Sequence, residues 1–179
     1  NIGSARIIKM LNVVDDALVV ESNGIYSIEN YLTSRRLMYW QVYLHKTTVG
    51  CENILINALR RAKQLAGEGV ELFASPALRY FLYNDITAHS FHTQDEALDN
   101  YIALDDNDIW SALKVWQQHD DSILALLSSN IINRKLFKVE VREEEPTAEE
   151  VARLKKQIAA RYRLDTTDCD YLIGVNRVQ

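Results

Sequence analysis

The sequence predicts a mainly α-helical fold with a short β-hairpin near the N-terminus and a small α/β subdomain at the C-terminus. Three observations predict it. Apolar residues recur at helical spacing through most of the 179 residues, which contain only two prolines and six glycines. Helix-start signals punctuate the middle of the chain at Ser75-Pro76, Thr93-Gln-Asp-Glu96, Asp105-Asp106-Asn107-Asp108 and Asp120-Asp121. After Asn133 the pattern changes to alternation, then helix, then alternation again. The helical region is therefore taken as 1–133 and a partial α/β subdomain as 134–179.

Ser4 can cap a first helix whose apolar positions are Ile7, Ile8, Leu11 and Val14, ended by Asp15-Asp16. Ala17–Glu21 and Ile25–Ser27 read as a hairpin around Ser22-Asn23-Gly24, because Asn-Gly supplies the positive φ of a tight turn. Ser27 then caps a long helical stretch from Ile28 to Ala66. A kink or break is expected at Gly50, beside the β-branched Thr47-Thr48-Val49, and Gly67-Glu68-Gly69 closes the stretch.

Ser75-Pro76 places a cap and then proline in the first helical turn, and Thr93-Gln-Asp-Glu96 has the form of a capping box. Asp105–Asp108 puts negative charge at the start of a helix carrying Ile109, Trp110, Leu113 and Trp116; Asp120-Asp121 does the same for Ile123–Ile132. Leu136–Arg142 alternates like a strand, Thr147-Ala-Glu-Glu150 opens a helix to Arg161, and Tyr171–Val175 reads as a second strand. Two or three strands make a marginal sheet. Both ends also run straight into predicted elements, so the chain reads as cut from a longer protein.

Hydrophobic residues at 47% and charged residues at 25% suffice for a packed core and exclude disorder. The net charge is −5, so no global positive field holds a nucleic-acid backbone. Any anion site must be local. Cys51 and Cys169 lack CxxC spacing, which argues for structural thiols in a reducing, cytoplasmic setting. No segment has the length and apolarity of a membrane span or signal peptide.

Local cationic clusters do exist. With Arg35 at 0° and 100° per residue, Tyr39 falls at about 40°, Lys46 at about 20° and Tyr43 at about 80°. One helix face then carries a guanidinium, two phenols and an ammonium, a set that suits a phosphate chain with a sugar or base. A partly exposed helix with solvated cations would show the same spacing. Arg134 and Lys138 bracket Leu136 and Phe137 and would form a second cluster if those two anchor in the core; ordinary surface charge would show the same pattern. His119-Asp120, with His89 and His92 upstream, reads as polar loop and helix joint rather than a metal site. The chain has no Gly-rich phosphate loop, Gly-x-Ser-x-Gly elbow or His-Glu-x-x-His. Trp40, Trp110 and Trp116 sit among apolar residues at helical spacing and are expected in the core.

The run from Gly24 through Tyr31-Leu-Thr-Ser-Arg35 and Tyr39-Trp-Gln-Val-Tyr43 to His45-Lys46 resembles the segment after the catalytic core in bacterial HD-domain phosphohydrolases. These are similar to deoxynucleoside triphosphate triphosphohydrolases. The resemblance continues through Leu104–Trp110 and Asn133–Lys138, and more loosely into the tail. It implies a helical region following an HD domain. It implies a divalent metal held by two histidines and two aspartates that precede Asn1, so that no metal ligand lies in this chain. Arg35 corresponds to a residue on substrate phosphates and Tyr43 to one beside the sugar and base. Tyr39, also assigned to the substrate site, stands where one family member has histidine. His45, Lys46, Arg134 and Lys138 correspond to residues around a regulatory nucleotide. The implied partners are a nucleotide substrate or effector and further copies of the chain, as a dimer or tetramer. The competing expectation is a non-catalytic oligomerisation or regulatory module.

Overall fold

Asp15 and Asp16, with φ of 50° and 61°, make a two-residue turn between β1 (Leu11–Val14) and β2 (Ala17–Val20). The strands pair antiparallel, Leu11 opposite Val20 and Val14 opposite Ala17. Positive φ at both central residues matches the twist of the flanking strands. The computed structural model describes residues 3–175 and divides into two compact units, Asn1–Val49 and Gly50–Gln179.

In the first unit the hairpin lies earlier than the sequence suggested. Helix α1 is only Ser4–Lys9, and Leu11 and Val14 belong to β1 instead. Asn23-Gly24 is not the hairpin turn; it lies in a 3-10 turn, Ser22–Gly24, that leads into α2 (Ile25–Met38). Gly24 has φ −84° and is needed for space: a Cβ there would lie 2.7 Å from Val20 Cγ1 and 3.0 Å from Met10 Sδ. Ser27 is inside the helix and caps nothing.

The expected break at Gly50 falls elsewhere. After Met38 the helix widens into a π turn, Tyr39–Tyr43, closed by the Leu44 N–H donating to Tyr39 O at 2.7 Å. Helix α3 (Lys46–Gly67) restarts after Leu44-His45. The His45 Nδ1 accepts the Thr47 N–H at 3.2 Å, and the Thr48 hydroxyl donates to Val42 O at 3.0 Å. Gly50 lies inside α3, where a Cβ would meet Val139 Cγ2 at 3.0 Å, so its role is to make room for that contact.

The second unit holds the core. Along α3, Ile54, Ala58, Ala62, Leu65 and Ala66 are buried at helical spacing. They join Leu72, Leu78 and Leu82, and Leu113, Trp116, Ile123, Leu124 and Leu127 from two helices further along the chain, Asp106–Trp116 and Ser122–Ile132. The end of α3 is closed as predicted by glycine past the last turn. Gly69, at φ 85°, donates to Ala66 O, and Val70 donates to Leu65 O.

Four predicted helix starts form as expected. Ser75 caps α4 (Pro76–Tyr83), and Asp105 with Asp108 makes a capping box on α7 (Asp106–Trp116). Asp121 caps α8 (Ser122–Ile132), and Thr147 with Glu150 makes a capping box on α9 (Ala148–Tyr162). The Thr93 box does not form. Thr93 ends α5 (Ser90–Thr93) and its hydroxyl donates back to His89 O, while α6 (Asp95–Ala103) begins without a side-chain cap.

Two predicted strands are also absent among the described residues. Residues 136–142 are irregular and have no ladder partner, and Asp168–Tyr171 is a 3-10 turn leading into irregular chain through Val175. The chain ends at Asn1 and Gln179 lie outside the described residues. Among the tryptophans only Trp116 is a core residue, with its Nε1–H donating to Phe73 O at 3.0 Å; Trp40 and Trp110 are exposed.

Candidate functional site

The first cluster is built on α2 and the π turn. Arg35 Nη2 donates to the Tyr39 hydroxyl at 3.3 Å, and its guanidinium lies 5.3 Å from the Tyr39 ring centre. Tyr39 and Tyr43 rings are 5.2 Å apart at 49°. The sequence missed Tyr31, whose phenol is the main influence raising the Arg35 guanidinium above its ordinary value, ahead of Tyr39. Tyr31, Arg35, Tyr39 and Tyr43 follow at four-residue steps, and that repeat was visible before the structure.

All four side chains are exposed, and the whole described part of this unit buries only Gly24. The cation is therefore oriented by phenols yet open to a ligand. Lys46 is not a continuation of this stripe, because the π turn and the break at Leu44-His45 reset the helical phase. It sits with His45 at the start of α3. With Nδ1 accepting the Thr47 amide, a neutral His45 carries its proton on Nε2, a donor facing away from that bond.

The second cluster follows α8. Arg134 occupies the left-handed region at φ 55°, donating its N–H to Ile131 O while Lys135 donates to Asn130 O. That cap position is ordinarily glycine. Lys138 is held by Glu140, Nζ to Oε1 2.8 Å, and the other Glu140 oxygen takes Arg142 Nη2 at 2.7 Å. The two cations, Lys138 first, pull the Glu140 carboxyl down to about 2. Neither Glu140 nor Arg142 was singled out by the sequence.

A third polar group ties the core together. Arg61 donates from Nε and Nη2 to both Asp121 oxygens, 2.6 Å at the shortest, and from Nη1 to Gln64 Oε1 at 3.2 Å. Asp168 lies 3.6 Å away, and the Tyr171 ring covers the guanidinium at 5.6 Å. Burial raises the Asp121 carboxyl, but the Arg61 hydrogen bonds, the Leu124 amide and the Arg61 and His119 charges outweigh it and leave it lowered. Each of the three guanidinium nitrogens of Arg61 has a partner, so this network is a strut.

No group of three or more His, Cys, Asp or Glu among the described residues could hold a metal ion. His119 has another role, its Nδ1 accepting the Asp121 N–H at 3.0 Å in the polar joint between α7 and α8. Cys51 and Cys169 are free thiols; Cys169 is buried, which pushes its thiol up, and donates to Asp165 O. No described helix is long and apolar enough to cross a membrane.

This arrangement can be set against known proteins. Residues 2–73, which carry α1 through α3 and the Arg35 ladder, match the HD associated region family. Over 96% of its length the chain is similar to a phosphohydrolase of Bacteroides thetaiotaomicron, with 58% identity and a TM-score of 0.93. It is also 34% identical over 132 residues to the uncharacterized protein YwfO of Bacillus subtilis (strain 168). The chain spans 43% of the former and 28% of the latter. Residues 2–73 are thus similar to an HD-associated region, and the chain shares its fold with a phosphohydrolase.

Proposed function

We propose that the chain is the nucleotide-contacting portion of a metal-dependent phosphohydrolase acting on deoxynucleoside triphosphates. The observation that supports this most directly is the Tyr31-Arg35-Tyr39-Tyr43 ladder inside the HD-associated region. Arg35 is a permanently charged fork, held by phenols and left open to solvent. Its place in the reaction is to bind phosphoryl oxygens and stabilise the charge that builds on them. Tyr43 offers a flat face with a hydroxyl edge to the sugar and base, and Tyr39 orients the guanidinium between them. Arg134 and Lys138 are assigned to contacts with an effector nucleotide, and so, independently, are His45 and Lys46. The described residues do not fit a metal ion, so in this proposal the divalent cation belongs to residues outside them.

The test is Arg35→Ala in the full-length protein, assayed against the four deoxynucleoside triphosphates. Loss of one such contact is worth about 2–4 kcal/mol of transition-state stabilisation, so kcat/KM should fall about 30- to 900-fold on the preferred nucleotide. Unchanged kcat/KM on every nucleotide removes Arg35 from the site.

A second reading has its own support. The first unit exposes large apolar side chains, among them Leu18 at 71%, Tyr26 at 76% and Trp40 at 58%, and apolar surface of this kind marks interaction sites where it is contiguous. It fits an assembly surface in a homo-oligomer, a dimer or tetramer. Sedimentation of Trp40→Glu beside the wild type checks it: an unchanged oligomeric state excludes this face.

A further inference from the structure

We propose that Glu140 is an internal anion that occupies Lys138 until a polyphosphate displaces it, so that the cation cluster after α8 is gated by the chain's own carboxylate. This rests on the effector-site reading above and adds its regulation. The geometry is that of a bound anion: each Glu140 oxygen takes one cation, Lys138 at 2.8 Å and Arg142 at 2.7 Å. Lys138 is 85% exposed, so its ammonium is open to solvent while it is paired with Glu140.

Arg142 makes the arrangement reversible. Its Nη1 also reaches Glu150 Oε1 at 3.5 Å, and the other oxygen of Glu150 accepts the Thr147 N–H in the cap of α9. Arg142 is therefore anchored to a helix start. When Lys138 lets go, Glu140 keeps its second cation, and only one arm of the latch has to open. Exposed ion pairs of this kind are weak, which suits a contact meant to exchange.

The same charges define the ligand. Glu143, Glu144 and Glu145 follow closely in sequence, so an anion reaches Lys138 only if it outcompetes a carboxylate in an acidic neighbourhood. A di- or triphosphate brings more charge and more oxygens than a monophosphate and so competes better for Lys138.

The test is calorimetric titration of the full-length protein in an Arg35→Ala background, which silences the substrate contact. The ligands are deoxyguanosine triphosphate, inorganic tripolyphosphate and deoxyguanosine monophosphate. Glu140→Gln should tighten both triphosphate ligands about two- to five-fold, the range an exposed pair can supply. Lys138→Ala should weaken them, and the Lys138→Ala/Glu140→Gln double variant should show no gain. Glu140→Gln binding like the parent while Lys138→Ala binds more weakly overturns the gate and leaves the effector site standing. Lys138→Ala binding unchanged overturns the effector site itself. Nucleotide binding without tripolyphosphate binding, or equal affinity for the monophosphate, overturns the polyphosphate specificity.

Discussion

Asp121 does two things at once, and replacing it should show both. Its Oδ1 accepts the Leu124 N–H at 2.8 Å, capping α8, and both oxygens grip Arg61. Loss of an N-cap costs about 1 kcal/mol. Removing one partner of a buried pair costs about 3–5 kcal/mol, because the surviving charge is stranded. Here that figure must be reduced, since Arg61 keeps Gln64 at 3.2 Å and Asp168 at 3.6 Å, and its side chain is 14% exposed. Asp121→Ala should therefore lose about 2–4 kcal/mol in urea denaturation and about 5–15 °C in Tm. Asp121→Asn keeps a capping oxygen and loses the charge, so it should fall between the two. The Asp121 carboxyl is held below its unfolded value, so its contribution is complete above the ordinary carboxylate range and is lost as pH falls through the lower folded value. The gap between wild type and Asp121→Asn should accordingly narrow on acidification. A loss under about 0.5 kcal/mol for Asp121→Ala, or an Arg61–Asp121 double-mutant cycle with no coupling, would refute this account.

Arg134→Gly relieves a side chain in the left-handed region, and should raise stability by about 0.5–1 kcal/mol while weakening triphosphate binding. Urea melts and calorimetry on the same variant read the two effects, and a stability decrease contradicts the backbone reasoning. Trp116→Phe leaves the Phe73 carbonyl without its donor and opens a void in the core; it should cost about 2–3 kcal/mol by chemical denaturation.

What the sequence made legible was local. Asp105, Asp121 and Thr147 cap their helices through residues two or three positions away, so the pattern contains the whole interaction. The Arg35, Tyr39 and Tyr43 grouping needed only the helical period. Lys46 was lost because a π turn adds a residue to one helical turn, and no single side chain announces that. The hairpin went astray for a related reason. Asn23-Gly24 is the stronger turn signal, yet Asp15-Asp16 made the turn, since Leu11–Val14 can pair with Ala17–Val20 and Gly24 was needed for close approach.

The segment 136–142 is the most informative failure, because its period of two is real and its cause is not a sheet. Leu136 and Phe137 pack against the core, which fixes where the segment leaves α8. Lys138, Glu140 and Arg142, at every second position, then form an ion ladder with the carboxylate in the middle. Val141, which a strand would have buried against a partner, is 86% exposed. Alternation thus recorded a row of charges pairing along one side of the chain. A strand would shelter its backbone in a ladder and leave its charges to solvent. Here the charges hold each other, and an incoming anion has to compete with Glu140 for Lys138. The same residues that misled the strand assignment are those from which the gate is built.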